Sequence, residues 1–95
     1  VEVVYLPQAV ADLRWMRRYY VSIFPQGAKR AREQVVATER LLSGNPHVGE
    51  MLGIADVREF PIRRTPFTFI YRIRSERVEI LRVWDQRGDP GRFSV

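Results

Sequence analysis

The chain has 95 residues, 45% of them hydrophobic, with no cysteine and a formal net charge of +5. That length makes one domain, enough for a single modest core; the hydrophobic fraction is that of a folded globular protein, and the lack of cysteine excludes a disulfide framework and a zinc–thiolate site. No apolar run approaches the ~20 residues of a membrane span, and no signal-peptide core is present, so the expectation is a cytoplasmic protein without a membrane partner.

Val1–Leu6 is β-branched and aromatic and reads as a short strand, stopped by Pro7. Proline suits the first turn of a helix, where its missing N–H is not needed. Val10, Leu13, Met16 or Arg17, Tyr20 and Phe24 then recur at three-to-four spacing, the signature of an amphipathic helix, with Asp12, Arg14, Arg17 and Arg18 on the other face. Pro25-Gln26-Gly27 interrupts it. A second helix runs to about Ser43, with Ala28, Ala31, Val35 and Leu42 on one stripe, and Gly44-Asn45-Pro46 ends it. The short connection makes the two helices an antiparallel hairpin.

His47–Asp56 reads as a loop, and strands are predicted at Val57–Arg63, Phe67–Arg74 and Arg77–Asp85. Phe67, Phe69, Tyr71 and Ile73 alternate with Thr68, Ile70, Arg72 and Arg74. A turn at Ser75-Glu76 would set Arg72 opposite Glu79, Ile70 opposite Leu81 and Phe69 opposite Arg82. The first pair is charge-complementary, although Ser-Glu is a poor dipeptide for such a turn. The fold class expected is α+β: a small antiparallel sheet with an N-terminal helix hairpin packed on its aromatic face. Thr68, Ile70, Arg72, Glu79, Leu81 and Val83 are then left on an uncovered second face, which suggests a binding surface.

Fifteen of the sixteen basic residues are arginine, Lys29 being the exception. The planar guanidinium fork suits phosphate and carboxylate, so the partner expected is acidic: nucleic acid, a ribonucleoprotein or an acidic protein. Arg58, Arg72, Arg82 and Arg87 are candidate contacts by face and strand-end position, with Ile70, Leu81, Val83 and Trp15 as apolar ones. Trp15 lies off the main apolar stripe of its helix, whereas Trp84 shares the predicted face of Phe67 and Phe69 and reads as core.

Candidate chemistry is sparse. There is no phosphate-cradling glycine loop, nucleophile elbow or HExxH. The lone His47 reads as a loop residue, and Ser43, Ser75 and Ser94 have no neighbouring base, so no metal site and no cofactor are expected. Asp85-Gln86-Arg87, with Asp89 close by, could serve acid–base chemistry or bind phosphate. The competing reading is that Asp85 and Arg87 pair with each other or with neighbours such as Arg58. Glu59, the only acid of its strand, is expected to pair with a nearby arginine.

Taken together, Ala9-x-x-Asp12-Leu13, the Asn45-Pro46-x-x-Gly49 turn, Arg58 with Tyr71-x-Ile73, and Val83-x-x-x-Arg87 resemble the RelE/ParE superfamily of bacterial type II toxins. The resemblance covers Val3 to Pro90. It implies a toxin held by a cognate antitoxin in a hetero-oligomeric complex, the antitoxin being acidic where it binds. One branch cleaves messenger RNA on the ribosome. The other, ParE-like, carries no recognised nuclease site and poisons DNA gyrase. Glu59 and Pro61 stand where the nuclease branch has two catalytic lysines, and Thr68 where it has a catalytic arginine; only Arg87 or its surroundings matches. A metal-free RNA cut needs a base for the 2′-hydroxyl and a stabiliser of the phosphorane. Glu59 facing phosphate would oppose the second role. The resemblance therefore implies a gyrase inhibitor with no catalytic residues. The alternative is a ribosome-dependent endoribonuclease using Arg87 with Asp85 or Glu59.

Overall fold

The computed structural model describes residues 1–87, so Asp89 and Ser94 lie outside the described residues. The order of elements is β1 (Glu2–Tyr5), α1 (Pro7–Ser22), a single 3-10 turn (Pro25–Gly27), α2 (Ala28–Gly44), β2 (Glu50–Met51), β3 (Val57–Pro61), β4 (Phe67–Arg74) and β5 (Arg77–Asp85). The strands form one sheet in the order β1-β5-β4-β3-β2. Strands β2 to β5 pair antiparallel, as expected, while β1 adds to β5 in parallel, with Val3 opposite Val78 and Tyr5 opposite Ile80. The chain between β1 and β5, both helices and strands β2 to β4, is longer than the crossover that a parallel neighbour requires. Strand β2 was not foreseen; two residues are too few to show alternation.

Pro7 opens α1 without a side-chain cap, and α1 ends where Ile23 N–H donates to the Tyr19 carbonyl. Ala9, Met16 and Tyr20 of α1 and Ala31 and Leu42 of α2 are buried against Phe67, Phe69, Tyr71, Val78 and Ile80 of the sheet. The aromatic face is thus the core, and burying each large side chain there stabilises the fold by about 1.5–3 kcal/mol.

The β4–β5 hairpin turns at Ser75 (φ 54°) and Glu76 (φ 59°). Both central residues take the left-handed conformation of a primed turn without glycine, so pairing of the strands, not turn chemistry, sets this register. Arg72 lies opposite Glu79 as predicted. Beyond it the register shifts between Tyr71, which faces Ile80, and Ile70, which faces Arg82, leaving Leu81 as an extra residue. This β-bulge corrects two expected pairs, since Ile70 does not face Leu81 and Phe69 faces Val83, not Arg82.

One inserted residue exchanges the two faces for everything that follows it. Val83 therefore turns into the core, 5% exposed, and does not belong to the second face. Trp84 lies opposite Thr68 and so leaves the aromatic face to which alternation assigned it. The second face is also less open than expected: Ile70, Val57 and Thr68 are buried. Ile70 is flanked across the register by Glu59 and Arg82, both half-buried, and long side chains of this kind shield an aliphatic floor with their stems.

Glu79 is buried on that face and accepts from Arg72 Nε at 2.8 Å and from Arg77 Nη2 at 2.8 Å. The hydrogen bonds from Arg72 and then Arg77 hold its carboxyl below the usual glutamate value, against the opposing effect of burial. A carboxylate with a depressed folded pKa contributes stability above its unfolded pKa and loses it as the pH falls through the folded one. The stability gap between the native chain and Glu79→Gln, measured by denaturant unfolding, should be widest near neutral pH and narrow below about pH 4. A gap that does not change with pH would contradict the pairing.

Candidate functional site

The sites of interest lie on the helix side of the molecule. Strand β1 ends opposite Ile80, so β5 has an open edge beyond it. Asp12 of α1 fills that edge. Its Oδ2 accepts from Val83 N–H at 3.0 Å and from Arg82 Nε at 2.7 Å, while Oδ1 accepts from Arg82 Nη2 at 3.1 Å. One carboxylate thereby replaces the missing strand, fastens α1 to the sheet and binds a guanidinium in two places. The Asp12 bond also pushes the already high pKa of Arg82 higher.

Next to it lies a cleft of about 350 Å³ lined by Asp12, Trp15, Phe67, Arg82, Val83, Trp84, Asp85 and Arg87. Trp15 is 47% exposed, as expected from its place off the apolar stripe, with its ring stacked on Tyr19 at 6.1 Å and edge-on to Phe67 at 5.8 Å. Arg87 donates from Nε (3.0 Å) and Nη2 (2.9 Å) to the two Asp85 oxygens and from Nη1 to the Tyr19 hydroxyl at 3.0 Å. Its guanidinium carbon also sits 4.7 Å from the centre of the Tyr19 ring. The Asp85 bond, then the Tyr19 bond, raises its pKa further. Arg87 is therefore a fixed cation whose charge Asp85 already offsets.

The structure brings together Trp15, Arg82, Asp85 and Arg87 of the residues singled out from sequence, and Val83 enters as cleft wall. It does not bring Glu59 to them. Glu59 faces Ile70 and Asp85 faces Phe67, so the two carboxylates lie on opposite faces of the sheet. Glu59 has no ion-pair partner among the described residues; across β2 its register neighbour is Glu50, another acid. Arg72 is committed to Glu79. Arg58 turns toward the loop before β2, its Nη1 donating to the carbonyls of His47 (3.0 Å) and Gly49 (2.9 Å). Leu81 is the half-buried bulge residue. His47 is exposed, and no cluster of histidine and acidic residues among the described residues could hold a metal.

A second concavity had no counterpart in the sequence reading. Between α1 and α2 runs an apolar groove of about 570 Å³, lined by Leu13, Met16, Tyr20, Val21, Ala28, Ala31, Val35 and Val36. Arg17 and Arg32 stand on it, and Glu39 receives a short hydrogen bond from the Tyr5 hydroxyl. Burial, and then this carboxylate, raises the Tyr5 pKa. The signal was present in the apolar spacing of the two helices, each of which carries more aliphatic surface than one sheet face can cover.

The family model for the ParE toxin of the type II toxin-antitoxin system parDE matches residues 3–90. The chain belongs to the ParE toxin family. Among solved structures, this ParE-family chain is similar to one described as the chromosomal ParDE toxin-antitoxin system from P. aeruginosa. The match has a TM-score of 0.70 and 27% identity, covering 87% of this chain and 92% of that one. It also shares its fold with a chain of the intact E. coli RelBE toxin-antitoxin complex, at a TM-score of 0.55 and 13% identity, covering 86% and 92% of the two chains. No curated protein sequence matches it. No described helix of this ParE-family chain is long and apolar enough to cross a membrane.

Proposed function

We propose that this ParE-family toxin acts by binding DNA gyrase, without cutting any nucleic acid, and that a cognate antitoxin neutralises it. The observation that carries the reading is the state of the groups a nuclease would need. Arg87 has Asp85 on both sides of its fork and Tyr19 on the third nitrogen, so it offers little to a developing phosphorane charge. Asp85 is held by the same bonds, and Glu59, the other candidate base, is on the far face. The one base and anion stabiliser that stand within reach of a common phosphate, Asp85 and Arg87, are thus spent on each other.

An acidic antitoxin suits the groove between α1 and α2. An amphipathic helix fills such a trough with its apolar face, and acids on its flanks would meet Arg17 and Arg32. Purified toxin should inhibit supercoiling by gyrase and trap its cleaved DNA complex, and added antitoxin should reverse both. Supercoiling that proceeds normally at saturating toxin refutes gyrase as the target. A ribosome-dependent endoribonuclease using Arg87 with Asp85 or Glu59 is the rival reading, favoured by the guanidinium–indole cleft alone.

A further inference from the structure

The positive charge of this chain is concentrated in one place. Between Asp12 and Glu33 there are six basic residues and no acid, whereas the rest of the chain has ten basic against eleven acidic residues. The net excess therefore belongs to the helix hairpin. The arginines of β5 and its end are ion-paired: Arg77 with Glu79, which Arg72 shares, Arg82 with Asp12 and Arg87 with Asp85. Arg18, Lys29 and Arg30 are exposed and have no ion-pair partner among the described residues. They flank the connection between α1 and α2, Arg18 near the end of the first helix and Lys29 and Arg30 at the start of the second.

The end of α1 and that connection carry the two most exposed large hydrophobic side chains of the described residues, Val21 at 64% and Ile23 at 69%, and also Phe24 at 49%. The position of Phe24 is fixed. Its ring is 6.3 Å from that of Tyr20, and it lies so close over Gly27 that a Cβ there would come within 2.5 Å of the ring. An exposed apolar tip flanked along the chain by cations with no ion-pair partner among the described residues has the composition of a protein interface, with an apolar centre and a charged rim.

Resting on the reading of this chain as a toxin that acts by binding, we infer that the hairpin tip, Val21, Ile23 and Phe24 with Arg18, Lys29 and Arg30, is the surface that grips the target. The target surface it fits is an acidic protein patch with an apolar recess. Nucleic acid fits less well, because phosphates offer nothing to Val21 and Ile23, and aliphatic side chains do not stack on bases. A lipid surface fits less well too: the tip runs through Val21 into a concave groove, which a protein ridge fills and a bilayer does not. Because tip and groove share Val21, an occupant of the groove lies against the tip, and neutralisation follows by obstruction.

The test uses the full chain with Ile23→Asp and, separately, Arg18→Glu/Arg30→Glu, all at exposed positions, with circular dichroism melts to establish folding. Each variant is expected to raise the toxin concentration for half-inhibition of gyrase by about tenfold or more, as loss of an interface anchor does, and to relieve growth arrest on induction. Folded variants that inhibit and arrest as the native chain does overturn the proposal. Binding of the native chain to a short DNA duplex or to phosphatidylserine vesicles, lost in both variants, overturns the assignment to a protein. Arrest by the native chain with gyrase untouched would sink the gyrase reading alone, and arrest then becomes the readout on which the tip stands or falls.

Discussion

Replacing Gly49 with alanine is expected to destabilise the chain by about 3 kcal/mol or more, the scale of overpacking combined with lost buried hydrogen bonds. A Cβ at this position would lie 2.5 Å from the Tyr71 hydroxyl and 2.7 Å from the Glu59 carbonyl, the second of which is backbone and cannot move aside. The Tyr71 hydroxyl is also the link that secures the segment after α2. It donates to the Pro46 carbonyl at 2.8 Å and accepts from Gly49 N–H at 2.9 Å, while Arg58 binds the His47 and Gly49 carbonyls. Burial holds the Tyr71 pKa above the ordinary tyrosine value, so the hydroxyl stays protonated and able to donate at neutral pH. Tyr71→Phe alone should cost about 2 kcal/mol through two lost bonds. In the Gly49→Ala background it should cost less, because removing the hydroxyl also removes the closest of the three clashes, the others being the Glu59 carbonyl and Tyr71 Cε1. Denaturant unfolding of the four proteins reads this non-additivity directly. Strictly additive losses would mean that Gly49 and Tyr71 do not share one site.

Asp12→Ala is the second large effect. It leaves Val83 N–H without an acceptor at the open edge of β5 and Arg82 without its carboxylate. Losing one partner of such a set costs about 3 kcal/mol, the low end for a buried pair because Arg82 is partly exposed and can rehydrate. In a domain of this size that lowers Tm by roughly 12–20 °C. Asp12→Asn should fall between the two, since an amide oxygen still accepts from Val83 but carries no charge for Arg82. An alanine variant that melts with the native chain would show that α1 does not depend on this contact.

These two positions show what was legible in the sequence. The helices, the three long strands, the aromatic core and the Arg72–Glu79 pair follow from spacing, since each is a local pattern of period 3.6 or 2. The Asn45-Pro46-x-x-Gly49 turn could be seen, but its reason could not, because Tyr71, the residue that requires glycine there, is 22 positions away. The faces of Val83 and Trp84 were misread because alternation counts residues and does not detect the one inserted at Leu81. A parallel partner for β1 is likewise invisible in its own four residues. Asp12 looked like a solvent-facing acid of an amphipathic helix, and only the end of β1 makes it a substitute for a strand. The candidate site was legible as a cluster near Trp84–Arg87. Its electrostatic state was not, because the neutralisation of Arg82 depends on the pairing across 70 residues that the fold creates.

As proposed, this ParE-family chain works by gripping a protein, without cleavage. The most direct measurement maps messenger-RNA ends in a translating extract while gyrase supercoiling is assayed with the same toxin preparation. The expected result is intact messages and arrested supercoiling, with an Arg87→Ala variant that loses inhibition only so far as it loses stability. Codon-positioned cuts on ribosomes, abolished by Arg87→Ala, with gyrase running normally, would contradict it.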